Sequence, residues 1–223
     1  MVGLGLCLAL PWGALAQQRA GSSVSISLSL EPDGLDPTMG AAASIGEVVH
    51  YNVLEGLTRI EENGQVKPLL AQSWSQDASG LVHVFKLRRG VRFHDGAVLD
   101  AQAVRFSFER AKAPGSTNKA RKALFDNIAR IETPDAHTVV LALERPDVHL
   151  LFRLGEGPAV ILHPASAAQA SSHPVGTGPY RFVQWSRGTS ITLVRADTYR
   201  DPTQASIERV VFHFIPDPKA QEA

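Results

Sequence analysis

The spacing of apolar residues in this chain switches repeatedly between a period of two and a period of about 3.6, and this switching constrains the fold more than any other feature. Residues 23–30 (SVSISLSL) alternate polar and apolar side chains, as a strand with one buried face does. Residues 44–57 instead repeat apolar side chains at helical spacing, and Ser44 followed by Glu47 is a capping-box pattern. Ser44 is therefore the predicted start of a helix that follows the first strand.

Short turn-forming segments separate many of the later strands. Residues 62–64, 78–80 and 133–137 carry the Asn, Gly, Pro and Asp side chains that favour tight reversals. Such connections join antiparallel neighbours, because a parallel crossover needs about a dozen residues or more. The predicted strands cover residues 58–60, 73–75, 82–88, 129–132, 138–143, 180–184, 191–195 and 207–215. The first three of these are expected to form an antiparallel meander.

Two further helices complete the predicted order of elements. Asp100 is expected to be the N-cap of a helix that ends before Pro114, and a short helix is expected around residues 148–154. In this order, helices interrupt groups of hairpin-linked strands. That arrangement is typical of an α+β fold and argues against repeated βαβ units.

The charge of the chain is balanced, which excludes a broad electrostatic partner. Its 223 residues contain 22 Lys and Arg against 22 Asp and Glu. A chain without net charge has no strong field that would attract nucleic acid or an anionic membrane surface. We therefore expect no nucleic-acid partner, and any ligand must be recognised by a local site.

The N-terminal residues resemble a secretory signal peptide. Residues 1–16 are mainly apolar and end in the small-x-small pattern of Ala14 to Ala16 that precedes cleavage. The stretch is shorter than the roughly 20 residues that cross a bilayer. It also lacks an early Lys or Arg, and an apolar helix packed on the core is the alternative. Cleavage would remove Cys7, the single cysteine, and would exclude disulfides and thiol chemistry. A periplasmic protein is expected.

The sequence contains no recognisable catalytic or metal-binding constellation. The GxSxG elbow of a nucleophilic hydrolase and the HExxH pattern of a zinc peptidase are both absent. His94 and Asp95 are adjacent, but neighbouring side chains point in different directions, and Asp95 with Gly96 is typical of a turn. Residues 176–179 (GTGP) lack the Lys and the following helix of a phosphate loop. We expect a non-enzymatic protein that has no metal site and no cofactor.

Three arginines, Arg88, Arg89 and Arg92, stand close together in the sequence. A guanidinium group can bind a carboxylate through two parallel hydrogen bonds, so the cluster is a candidate contact for an acidic ligand. On an amphipathic hairpin, however, the pattern favours a solvated face.

Three segments, taken in order, are similar to family 5 of the bacterial extracellular solute-binding proteins, the periplasmic receptors of peptide, dipeptide and nickel ABC importers. The first is EPDGLDPTMG with VVHYNVLEGLTRI, which resembles the family's Leu-Asp-Pro turn and the helix ending in Glu-Gly-Leu. The second runs from LLAQSW through VFKLRRGVRFHDGAVLDAQAVRFSFERA, where Ala103 replaces a usual acidic residue. The third is PVGTGPYRFVQW with its later Tyr. Together they cover most of the chain after residue 22.

The resemblance implies a periplasmic binding protein-like fold of which this chain holds only a part. By that comparison, residues 22–55 and 176–223 form an incomplete lobe I, and residues 56–175 form an inserted subdomain with antiparallel strands. The second main lobe is absent. The chain alone is then expected to bind its ligand weakly or not at all, because one wall of a cleft cannot desolvate a ligand from both sides.

The resemblance also implies a function and a site. In the family, backbone just after the Leu-Asp-Pro turn lines the ligand cleft, and this corresponds here to Met39, Gly40, Ala41 and Ala42. An ordinary surface loop is the alternative. The implied function is capture of a small solute, most simply a peptide, by a monomer that delivers it to an ABC permease in the inner membrane. Two other classes stay open, namely a secreted sensor or interaction module on the same scaffold and a secreted hydrolase.

Overall fold

The computed structural model describes residues 21–216, so the predicted signal peptide and Cys7 lie outside the described residues. The helices within that range are α1 (Ala43–Val49), α2 (Ala101–Lys112) and α3 (Leu150–Arg153). The strands are β1 (Ser23–Leu28), β2 (Thr58–Ile60), β3 (Val66–Pro68), β4 (Ala71–Gln76), β5 (Val82–Leu87), β6 (Ile128–Asp135), β7 (Thr138–Leu143), β8 (Tyr180–Ser186), β9 (Ser190–Arg195) and β10 (Arg209–Phe214). The predicted α+β architecture is confirmed.

One four-stranded sheet joins the two ends of the described chain. Its strand order is β1-β10-β9-β8, and β1 runs parallel to β10 while the other pairs are antiparallel. The hairpin between β8 and β9 agrees with the turn-based prediction. The parallel pair joins strands about 180 residues apart and has no local sequence pattern.

A second four-stranded sheet has the order β4-β5-β7-β6 and is antiparallel throughout. Trp74 lies opposite Phe85 across β4 and β5. The expected meander is divided, however, because β2 pairs with β3 in a separate two-stranded sheet. β3 is not among the predicted strands, since three residues ending in proline give almost no periodic pattern.

Helix α1 is shorter than predicted, and its predicted N-cap at Ser44 is wrong. The N-cap is Ala42, which forms no side-chain hydrogen bond, and Ser44 lies buried inside the helix. The helix ends at Val49 because Tyr51 adopts a left-handed backbone conformation with φ of 60°. The later apolar residues of the pattern, up to Leu57, lie outside the helix and are buried by packing against other elements. Their spacing in the sequence is helical, but their backbone is not.

Helix α2 agrees with its prediction. The Asp100 carboxylate accepts a hydrogen bond from the backbone N–H of Ala103 at 3.0 Å, which confirms Asp100 as the N-cap. Val104, Phe108 and Ala111 lie buried on one face of this helix.

Apolar side chains form two separate buried clusters. One lies between α2 and the β4-β5-β7-β6 sheet and includes Phe85 and Phe108. The other lies between α1 and the β1-β10-β9-β8 sheet and includes Ile45 and Phe212. The chain passes between the clusters near Glu55, since Leu54 belongs to the second cluster and Leu57 to the first.

The predicted Gly-Thr-Gly-Pro segment forms a close backbone contact beside this crossing. The N–H of Gly178 donates to the carbonyl of Val53 at 3.0 Å, and that of Tyr180 donates to Asn52 at 2.9 Å. A Cβ added at Gly176 would lie 1.8 Å from the Val53 carbonyl oxygen. Only glycine fits at that position, which explains the motif without a phosphate.

Candidate functional site

The predicted binding segment follows a turn that is organised by Asp36. One carboxylate oxygen of Asp36 accepts hydrogen bonds from the N–H and hydroxyl of Thr38 at 2.9 and 2.6 Å. Its backbone carbonyl accepts the N–H groups of Met39 and Gly40 at 3.1 and 2.9 Å. The Asp36 side chain is 2% exposed. The turn is therefore a closed hydrogen-bonded unit rather than a solvated loop.

Helix α2, which packs in the cluster that contains Phe85 and Phe108, also holds this turn in place. Arg110, in the last turn of α2, donates to the second carboxylate oxygen of Asp36 at 2.9 Å and to the hydroxyl of Thr38 at 2.5 Å. The guanidinium also contacts the Met39 sulfur at 2.9 Å, and the Thr117 hydroxyl donates to the Met39 carbonyl at 3.1 Å. The segment that follows α2 thus helps to position the predicted binding residues.

A cavity of about 290 Å³ opens beside the turn. Of the four residues that sequence comparison nominates, Gly40 and Ala42 line it, whereas Met39 and Ala41 do not. Met39 is 53% exposed. Other lining residues are Gly46, His50, Lys119 and Glu156. The assignment of the whole segment 39–42 to a ligand site stays a prediction.

The cavity carries one cation and one anion that the sequence reasoning missed. Lys119 and Glu156 both line it, and neither forms an ion pair with another residue in the range 21–216. Lys119 is exposed and Glu156 is half-buried. No short motif links two residues this far apart in the chain, so only their placement on one cavity identifies them. Together they suit a ligand that carries both charges.

His50 lines the cavity, and the ring of Tyr51 supports it from behind. His50 stacks on Tyr51 with ring centroids 3.9 Å apart. Burial lowers the pKa of His50 to about 4, against a weaker opposing effect of a hydrogen bond with Gly155. The Tyr51 hydroxyl donates to the Gly155 carbonyl at 2.6 Å and accepts the N–H of Ile60 at 2.9 Å. His50 is therefore neutral at pH 7, and this wall is fixed.

A buried ion pair ties three segments together where the chain crosses between the clusters. Both oxygens of Glu55, which is 1% exposed, accept hydrogen bonds from Arg200 at 2.8 Å. The Thr177 hydroxyl donates to the same carboxylate at 2.8 Å. Burial, followed by the negative charge of Glu55, raises the pKa of Tyr199 to about 12. These contacts stabilise the crossing.

The side chains of His94 and Asp95 do not act together. The ring of His94 bridges the backbones of Gly176 and Gly178 at 3.3 and 2.9 Å. Asp95 accepts the N–H of Ala97 at 3.1 Å, and Gly96 has φ of +91°, which confirms the predicted turn. Asp95 also lies 2.7 Å from Nδ1 of His163, without the alignment of a hydrogen bond. Burial lowers the pKa of His94.

Among residues 21–216 the structure shows neither a cluster of side chains suited to a metal ion nor a helix suited to crossing a membrane. There is no grouping of three or more His, Cys, Asp or Glu side chains suited to a metal ion. Among the same residues, none of the helices combines the length and the apolar character that crossing a bilayer requires.

Comparison with known proteins decides the family. The profile of the bacterial extracellular solute-binding proteins, family 5 Middle, matches residues 65–223. The chain belongs to this family. The second and third of the three similar segments, with the Gly-Thr-Gly-Pro contact, lie inside the matched residues, whereas the Leu-Asp-Pro turn precedes them.

Individual family members support the same assignment. The glutathione-binding protein GsiB of Pectobacterium atrosepticum is 31% identical over 193 residues, which are 85% of this chain and 37% of the relative. The solved structure of AgaA from A. tumefacien R10 in complex with agropinic acid is 31% identical, with a TM-score of 0.84 over 90% of this chain and 41% of that one. DppA from Helicobacter pylori, in complex with the peptide STSA, is 25% identical with a TM-score of 0.81 over 91% of this chain and 44% of that one. The chain spans about 40% of the length of these relatives.

Proposed function

We propose that this chain is the substrate-capturing part of a periplasmic receptor for a peptide-type ABC importer, and that it performs no chemistry on its ligand. Membership of a family of solute-binding proteins supports the proposal. Similarity to AgaA and DppA, both solved with a bound small solute, supports it further. Delivery to an inner-membrane permease, a monomeric state and a periplasmic location belong to the same proposal.

The observation that carries the proposal is the cavity beside the Asp36 turn. Gly40 and Ala42 present backbone and small side chains to it, which lets a ligand approach the main chain closely. Met39 and Ala41 remain part of the proposed binding segment, because they flank the lining residues Gly40 and Ala42. Lobe I over residues 22–55 and 176–223, with an inserted subdomain over 56–175, is the proposed division.

The charges of the cavity favour a zwitterionic solute such as a short peptide. A ligand amino group would pair with Glu156 and a ligand carboxylate with Lys119, both of which lack an ion-pair partner among the described residues. Each charge-assisted hydrogen bond of this kind contributes about 1.5–3 kcal/mol. Losing one should therefore weaken binding by about tenfold or more.

Amide chemical-shift titration tests this proposal, because it detects weak binding. We expect glutathione and trialanine to shift the amides of residues 40–46 and 156–157 in a saturable manner. N-acetylated, C-amidated trialanine loses both charged ends and should bind more weakly than free trialanine by about a hundredfold or more. Lys119→Gln and Glu156→Gln should each reduce affinity, whereas the control Lys122→Gln, an exposed residue outside the cavity, should not.

Two results would contradict the proposal. One is the absence of saturable shifts with either probe. The other is equal binding of the free and the blocked peptide, which would remove the role of Lys119 and Glu156. Low-micromolar affinity of the isolated chain would separately contradict the expectation that one cleft wall binds weakly.

A further inference from the structure

A second cavity, larger than the first and distinct from it, has a volume of about 730 Å³. It lies where the small β2–β3 sheet meets the start of β4, the end of β5 and the connection between β9 and β10. Its volume is within the range of about 300–1,000 Å³ that is usual for small-molecule sites. The proposed function does not use this cavity.

Its charged lining is unusual for a chain without net charge. The charged residues on it are Arg59, Arg88, Arg89, Arg200, Glu61 and Asp201. Four guanidinium groups therefore face one cavity in a chain of 22 basic and 22 acidic residues. The sequence cluster Arg88–Arg89–Arg92 is divided here, because Arg92 bonds to the Gly96 carbonyl and lies outside the cavity.

Two of the four arginines are already paired. Arg200 uses both terminal nitrogens on the buried Glu55 carboxylate, so its charge is neutralised from behind. Arg59 lies 3.5 Å from Glu61, and its guanidinium sits 5.1 Å from the Tyr51 ring centroid. These two residues form part of the cavity wall, but their charges are matched by nearby carboxylates.

The other two arginines keep free guanidinium groups. The Nε of Arg88 donates to the Leu69 carbonyl at 2.6 Å, which fixes its side chain and leaves its terminal nitrogens without a carboxylate partner among the described residues. Arg89 is exposed and forms no ion pair within residues 21–216.

The remaining acidic residue on the lining, Asp201, offsets only part of their charge. The Asp201 carboxylate accepts hydrogen bonds from the N–H and hydroxyl of Thr203 and from the Gln204 amide. These hydrogen bonds, first that of the Thr203 hydroxyl, lower the pKa of Asp201, so it stays ionised and is satisfied locally. With Arg59 matched by Glu61 and Arg200 by Glu55, the guanidinium groups of Arg88 and Arg89 face the single carboxylate of Asp201, and the lining keeps a net positive charge.

We propose that this cavity is a second binding site, for a small anion that carries carboxylate or phosphate groups. The planar forks of Arg88 and Arg89 bind such groups through paired hydrogen bonds, and the amide of Gln72 supplies a neutral donor on the same lining. Because Arg88 is held by Leu69, less rotamer entropy is lost when an anion binds. The site is independent of the solute cavity beside Asp36.

Titrations with inorganic phosphate and with citrate, at constant ionic strength set by sodium chloride, test the site. The measurement is the chemical shift of backbone amides. We expect saturable shifts at residues 59–61, 69–72, 200–201 and 203–204, and the stronger of the two probes identifies the preferred group. Arg88→Gln with Arg89→Gln should weaken binding by tenfold or more. Arg89→Gln alone, which disturbs no folded contact, should weaken it at least threefold.

The matched control removes the same number of charges elsewhere. Arg92→Gln with Arg187→Gln changes two arginines outside the cavity and should alter affinity by less than twofold. The proposal is overturned if neither probe saturates, if the shifts lie elsewhere, or if both double variants lose affinity equally. Equal loss would mean general charge attraction instead of a site.

Discussion

Arg110→Met should destabilise the protein because it leaves the Asp36 carboxylate buried and half-satisfied. In the folded chain that carboxylate is 2% exposed, and one of its oxygens depends on Arg110 at 2.9 Å. Breaking a fully buried ion pair by removing one partner costs about 3–5 kcal/mol. Arg110 is 25% exposed, so water can reach the vacated position and the lower limit applies. We expect a loss of about 3 kcal/mol in the free energy of unfolding.

Urea denaturation at pH 7 measures this loss, and the same helix supplies the control. Arg105 pairs with Glu109 at 2.6 Å, but both side chains are about half exposed. Arg105→Met should therefore cost about 0.5 kcal/mol or less. Adding Asp36→Asn to Arg110→Met should recover part of the loss, since the double variant has no buried charge to leave unpaired.

The site gives a second measurement of the same perturbation. The amides of Met39 and Gly40 should exchange with solvent faster in Arg110→Met, because the turn they close loses its anchor on α2. The reasoning is refuted if Arg110→Met and Arg105→Met cost the same, or if exchange at these amides is unchanged. Either result would mean that Arg110 does not stabilise the buried Asp36 carboxylate.

Three further predictions follow from particular contacts. The pKa of His50 is lowered from 6.5 to about 4, so its stabilising contribution is full above pH 6.5 and is lost as pH falls toward 4. From His50 alone, urea denaturation should show about 2 kcal/mol less stability at pH 5 than at pH 7, and His50→Gln should reduce the measured difference by about that amount, leaving the part that the lowered pKa of His94 contributes. Gly176→Ala would place a Cβ 1.8 Å from a backbone carbonyl and should lower the free energy of unfolding by about 3 kcal/mol or more, whereas Gly46→Ala, in open space on α1, should raise it by roughly 0.5–1 kcal/mol. Asp100→Ala should cost about 1 kcal/mol by removing the α2 cap, and a thermal melt unchanged from that of the parent would contradict the cap.

Local patterns in the sequence predicted most of the secondary structure, because the interactions behind them span only a few residues. The Asp100 cap joins residues three positions apart, and the Asp95–Gly96 turn is closed by its own side chain. The period-two strands are equally local. The prediction failed at Ser44, where the apolar spacing is helical but burial comes from other elements and Tyr51 reverses the chain.

The sequence by itself determined that the chain alternates strands and helices, carries no net charge and resembles family 5. It also nominated Met39, Gly40, Ala41 and Ala42, although it could not say which of them line a cavity. Tertiary structure alone decided that Lys119 and Glu156 share one cavity, that Arg88 and Arg89 face another, and that Arg110 holds Asp36. These groups come from segments far apart in the chain, and only the packing of two apolar clusters, together with the parallel β1–β10 pair, brings them within contact distance.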